Sequence, residues 1–191
     1  MTNIAIFASG SGTNAQAIFE YFLNSKKAKV VIILSNNPEA YVLTRAKNAN
    51  IPSVVFDKDE FYRSDIVLDT LKQYNVDYVI LAGFLWLVPQ NLTNAFSNRM
   101  VNIHPALLPK YGGKGMYGMR VHEAVVANNE RESGITIHFV NEVYDSGDII
   151  MQAKCEVLPT DSAEDVAQKV HNLEYQYFPR IIEDVLMKTI F

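Results

Sequence analysis

With 191 residues, 49% of them hydrophobic and 20% charged, the chain can bury one substantial core, and its length suits a single domain over residues 1–191. A formal charge of -4 with acids and bases scattered along the chain offers no basic stripe and argues against nucleic acid as a partner. No apolar run approaches the ~20 residues of a membrane helix, no basic and apolar leader opens the chain, and the lone Cys155 reads as a packed thiol, so a cytoplasmic setting is expected.

Asn3 to Ala8 is an apolar, β-prone run that stops at Ser9-Gly10-Ser11-Gly12-Thr13-Asn14, after which Ala15, Ile18, Phe19 and Phe22 recur at helical spacing. A second strand, Lys29 to Ser35, ends at Asn36-Asn37-Pro38 and leads into a helix carrying Ala40, Leu43 and Ala46 or Lys47. Asn50-Ile51-Pro52 breaks that helix and introduces a third strand at Ser53 to Phe56. Phe61 to Tyr74 reads as one helix and Asp77 to Ala82 as a fourth strand, hydrophobic throughout as a buried parallel strand is. Three strand-helix units in succession predict an α/β fold, a doubly wound, Rossmann-like and mostly parallel sheet.

Phe84 to Val88 is too short for a stable helix and has no alternation, so it can line a pocket. Pro89 starts a helix over Gln90 to Phe96, and Arg99 to Ile103 forms the fifth strand. The loop Gly112 to Gly118 holds four glycines in seven residues, enough to approach a ligand closely. A helix from about Arg120 to Asn128 follows, then strands at Ile135 to Val140 and Ile149 to Val157 joined through Asp145-Ser146-Gly147-Asp148, an antiparallel hairpin at one end of the sheet. Ser162, with Asp165 three residues on, caps a long helix running to about Lys188.

Two stretches carry chemistry. Gly10-Ser11-Gly12-Thr13-Asn14-Ala15 fits a dinucleotide fingerprint after a strand and before a helix, where free amides and the helix dipole attract a phosphate. A dinucleotide also needs an acid at the end of the second strand, and Ser35-Asn36-Asn37 stands there, so a single phosphate is favoured over NAD and over a mere tight turn. In Met100 to Lys110, Asn102 and His104 share one side-chain parity where a strand leaves the sheet, an amide donor beside a titratable imidazole. Alone, His104 is as well explained as a structural histidine in a proline-rich loop. Asp145 reads as a turn former or as a carboxylate that would raise the imidazole pKa. His122 and His138 are expected to be structural, and no histidine-carboxylate spacing suggests a metal site.

Asn102 to Pro109 resembles the N-x-H-P-S-L-L-P segment of the folate-dependent formyltransferases. The likeness extends through Ser9 to Ala15, Leu81 to Phe84, Gly134 to Asp145, Ile150 to Ala153 and Glu174 to Pro179. It implies formyl transfer from 10-formyltetrahydrofolate to the primary amine of glycinamide ribonucleotide, a step of purine biosynthesis, by direct attack of the amine. Asn102, protonated His104 and Asp145 would be catalytic. Gly12, Thr13 and Asn14 would hold the phosphate and Glu174 the ribose hydroxyls. Leu85, Trp86, Leu87 and Val88, with Asn102, would flank the folate, and Arg63 would meet its carboxylate tail. The chain departs from many relatives in Trp86, where they carry a basic residue, and in a longer, more glycine-rich loop at Gly112 to Gly118. The resemblance leaves monomer or homodimer open.

Rival readings are a different acceptor (an amino sugar, methionyl-tRNA, or water in a hydrolase) and a non-catalytic nucleotide-binding module. The first group of relatives usually carries an additional domain. The second has no need of the combination Asn102, His104 and Asp145.

Overall fold

The computed structural model describes residues 1–188. Its seven strands are β1 (Thr2–Phe7), β2 (Ala28–Ser35), β3 (Ser53–Val55), β4 (Tyr78–Leu81), β5 (Met100–His104), β6 (Glu132–Phe139) and β7 (Ile149–Glu156). They form one sheet in the order β3-β2-β1-β4-β5-β6-β7, parallel from β3 to β5 and antiparallel from β5 to β7. The expected doubly wound sheet is present, and its antiparallel end includes the pairing of β6 with β5 as well as the hairpin. The chain builds outward from β1 to β3, then returns to the other side of β1 with β4. That reversal opens a crevice at the carboxyl ends of β1 and β4, where sheets of this kind hold ligands.

Alternation along β1 explains the two layers. Ile4, Ile6 and Ala8 pack on one face with Ala15, Ile18 and Phe22 of α1 (Thr13–Phe22), whereas Ala5 and Phe7 pack on the other with Phe56, Phe61 and Leu92. The remaining helices are α2 (Tyr41–Asn48), α3 (Lys58–Tyr62), α4 (Ile66–Gln73), α5 (Gln90–Ala95), α6 (Met119–Ala127) and α7 (Ala163–Lys188). Helix α7 covers the first face through Val166, Val170, Phe178 and Ile182, and Ser162 and Asp165 cap it reciprocally as expected.

The segment expected as one helix over Phe61 to Tyr74 is two. Asp57 and Glu60 form a capping box that starts α3 early at Lys58, and Ser64 turns its hydroxyl back onto the Glu60 carbonyl at 2.9 Å. These local bonds compete with continuation of the helix, and α4 restarts beyond Asp65. Among the described residues no helix is long and apolar enough to cross a membrane.

Candidate active site

At the end of β1 the chain is tied across the crevice. The Ser9 N–H donates to the Gly83 carbonyl at 3.0 Å, and the Leu85 N–H donates to Ser9 Oγ at 3.1 Å. Gly12 then caps α1 with φ of 72°, and an added Cβ there would lie 2.5 Å from Val42 Cγ2, so both the backbone angle and the packing of α2 demand glycine. No side chain caps α1 and its first turn holds no acid, which leaves its amides to a ligand. Arg45 secures the outside of the turn, donating from Nε to the Ser11 carbonyl at 2.8 Å. Asn14 Nδ2 donates to Glu174 Oε2 at 3.0 Å. Burial pushes the Glu174 carboxyl above its ordinary value, although the Asn14 amide and the His171 charge pull the other way.

At the end of β5, Asn102 and His104 face the crevice together, as their parity requires. His104 Nε2 lies 2.7 Å from the Tyr111 carbonyl, a contact that needs an N–H on that nitrogen. Its Nδ1 faces Asp145 Oδ2 at 3.5 Å, and the Gly113 N–H donates to the same oxygen at 2.9 Å. Asp145 has φ of 52°, a left-handed conformation that aspartate tolerates better than most residues. Two residues on, a Cβ at Gly147 would lie 1.8 Å from the Phe139 carbonyl, so this turn closes only around glycine.

Asn102 sits directly opposite His138 in the β5–β6 register. Its Nδ2 lies 3.1 Å from His138 Nε2 and 3.4 Å from Asp145 Oδ1. His138 Nδ1 faces the Phe139 carbonyl at 2.8 Å, so the proton is on Nδ1 and the Nε2 lone pair accepts from Asn102. Burial pushes the Asp145 carboxyl up, but the nearby His138 and His104 imidazoles and the Gly113 N–H together carry it below its ordinary value. For His104 the balance runs opposite to the expectation of a raised pKa. Desolvation of an imidazole only 4% exposed outweighs Asp145 and the Tyr111 carbonyl, and the pKa falls below 6.5. With Nε2 committed to the Tyr111 carbonyl, Nδ1 beside Asp145 is the ring nitrogen left to exchange a proton.

Both constellations open on one cavity of about 680 Å³, which also receives Glu174 and the glycine-rich loop. The uncapped α1 turn and an amide-imidazole-carboxylate cluster thus share one chamber. Residues 2–182 match the formyl transferase family. The chain belongs to that family. It is 42% identical to a chloroplastic phosphoribosylglycinamide formyltransferase of Vigna unguiculata over 98% of this chain, and it spans 62% of that relative's length. It is 38% identical to the phosphoribosylglycinamide formyltransferase of Haemophilus influenzae, covering 96% of this chain and 86% of the relative. The crystal structure of the enzyme of that name from Bacillus halodurans superposes with a TM-score of 0.87 at 34% identity, covering 98% of this chain and 97% of the other.

Of the residues expected at a formyl transferase site, Gly12, Thr13, Asn14, Leu85, Asn102, His104, Asp145 and Glu174 line the cavity. The folate-side run divides differently. Val88 is buried in the second core layer, and Trp86 packs in an aromatic cluster, stacked on Tyr62 at 6.0 Å between centroids. The Leu87 carbonyl accepts from Tyr62 Oη at 3.0 Å, so of Leu85 to Val88 only Leu85 reaches the cavity wall. Arg63 stands outside that wall, its guanidinium 3.0 Å from Asp59 on the surface of α3.

The structure adds His138, which the sequence reading took as structural. Its signal was cross-strand pairing: β6 lies antiparallel beside β5, and the register sets His138 against Asn102. The Tyr111 carbonyl and Gly113 amide were not legible, since they are backbone groups brought in by the loop. His122, also taken as structural, lines the cavity with no partner for Nδ1.

Proposed function

We propose that this protein transfers the formyl group of 10-formyltetrahydrofolate to the amine of glycinamide ribonucleotide, a step of purine biosynthesis. The observation that carries the reading is the convergence of the uncapped α1 turn and the Asn102, His104 and Asp145 cluster on one cavity. The turn amides of Gly12, Thr13 and Asn14 bind the phosphate, Glu174 accepts from the ribose hydroxyls, and Leu85 flanks the pterin. The substrate amine attacks the formyl carbon directly. Asn102 has one N–H held by His138 and another in a long 3.4 Å contact with Asp145, and the second turns to the developing oxyanion.

The proton released by the attacking nitrogen goes to Nδ1 of neutral His104, and the imidazolium that forms is held by ionised Asp145. As the tetrahedral intermediate collapses, the bond to folate N10 breaks and His104 returns the proton to that nitrogen. The acid foreseen in the sequence is thus reached through a base step. Residues 1–191 act as one formyltransferase domain, as a monomer or a homodimer, and the lone thiol of Cys155 supports a cytoplasmic setting.

The test is a parallel assay of formyl transfer with glycinamide ribonucleotide, methionyl-tRNA and no added acceptor. The reading expects turnover with the first alone. Equal consumption of the formyl donor without an acceptor would mark a hydrolase instead.

A further inference from the structure

The phosphate side of the cavity lacks fixed positive charge in the turn itself. Ser9 to Asn14 supplies amides and hydroxyls but no cation, and Arg45 beside it donates to the Ser11 carbonyl and does not line the chamber. The ionisable acids on the wall are Asp145 and Glu174, each already engaged with neighbouring side chains. A dianion entering such a chamber needs cations. The walls carry two, Lys114 and Arg120, both from the glycine-rich loop and the first turn of α6.

Both side chains are open to an incoming anion. Neither forms an ion pair with a carboxylate among the described residues, and the Arg120 guanidinium lies 5.1 Å over the Tyr117 ring. Arg120 occupies the positive end of a nine-residue helix whose first turn has no acid and whose N-cap, Gly118, offers no side chain. The dipole there disfavours a cation. An independent feature at the same end points to a ligand: His122, 2% exposed and one turn along α6, lines the cavity with Nδ1 unpartnered.

We propose that Lys114 and Arg120, with the uncapped start of α6, form the second jaw of a phosphate clamp whose first jaw is the Ser9–Asn14 turn. The clamp makes these two residues positioning and specificity determinants for a phosphorylated ribose. The inference rests on the phosphate-bearing substrate of the proposed function.

Titration calorimetry tests it with three ligands: ribose 5-phosphate, glycinamide ribonucleotide and the dephosphorylated glycinamide riboside. Arg120→Met combined with Lys114→Met should weaken the two phosphorylated ligands by roughly 10- to 100-fold, the range of a lost charge-assisted hydrogen bond, and leave the riboside unchanged. Arg120→Lys should recover most of the loss, and thermal melts should match the wild type because both side chains are exposed. Equal weakening of riboside and ribonucleotide, no weakening at all, or failure of the wild type to bind ribose 5-phosphate would overturn the clamp. The two readings fail separately. If the wild type binds ribose 5-phosphate through these cations yet does not formylate glycinamide ribonucleotide, the clamp stands and the acceptor is another phosphorylated amine. Formylation by a wild type whose double variant binds the phosphorylated ligands as tightly as it does would leave the function and remove the clamp.

Discussion

The two ends of the cavity are built by different means. The end proposed for phosphate is contiguous in sequence, a single turn that offers backbone amides and is held in shape by Arg45. The end proposed for catalysis draws Asn102 and His104 from β5, His138 from β6, Asp145 from the connection to β7 and a carbonyl from Tyr111, so it is assembled mostly from side chains. Local backbone sites therefore fail through conformation, whereas assembled side-chain sites fail through chemistry with the fold intact.

The largest expected effect falls on the assembled end. Asp145→Asn keeps the shape of the side chain, and asparagine tolerates the left-handed backbone at φ of 52°, so the melting temperature should hold. Without the carboxylate the His104 pKa should fall further below 6.5, and the acid limb of the pH profile should move to lower pH with it. Loss of proton handling should reduce kcat by about 10²–10⁴-fold with substrate affinity unchanged. A variant that keeps both its rate and its pH profile would remove Asp145 from the mechanism.

The contiguous end should break in the opposite way. Gly12→Ala places a Cβ 2.5 Å from Val42 Cγ2 and 2.6 Å from Val42 Cβ, at a backbone angle that alanine resists. The left-handed angle costs about 1–2 kcal/mol and overpacking a further ~1–3 kcal/mol. Urea unfolding should register that loss whether or not ligand is present. A variant of unaltered stability that merely lost phosphate affinity would contradict the packing seen here.

This contrast also explains what the sequence could carry. Parity placed Asn102 with His104, and the turn, the parallel strands and the long capped helix all follow from local pattern and spacing. The contact of His138 with Asn102 was not legible because it depends on register across two strands, nor was the burial of Val88, because an apolar run without alternation does not say which residue faces the core. The sign of the His104 shift was out of reach for a similar reason: a carboxylate partner is visible in sequence, but the burial that outweighs it is a property of the assembled fold.

His122 sits between the two ends and sharpens the comparison through stability. Burial first, then the charges of His171 and His104, lower its pKa from 6.5 to about 4. Between those values the unfolded chain binds a proton that the folded chain refuses, so stability falls as pH falls from 6.5 and levels off below about 4. The shift corresponds to about 3 kcal/mol. His104 contributes with the same sign, so His122→Gln should remove only the His122 part of the decline between neutral and acid unfolding curves. Parallel pH dependence in wild type and variant would mean that His122 is not held neutral.

The smallest effect, and the finest test of the assembled end, concerns His138. Its Nε2 accepts from Asn102 at 3.1 Å while the other Asn102 contact, to Asp145, is long at 3.4 Å, so His138 decides which way the amide points. His138→Leu leaves the half-buried amide without that acceptor, and Asn102 should turn more firmly toward Asp145 and away from the oxyanion. A neutral hydrogen bond of this kind is worth about 0.5–1.5 kcal/mol, so kcat should fall by roughly 10-fold or less. Lost acceptance and lost packing are separated by His138→Gln, whose carbonyl can accept from Asn102 and should recover part of the rate. If leucine and glutamine reduce kcat equally while ligand affinities stay level, His138 fills space beside Asn102, and the amide is oriented by Asp145 alone.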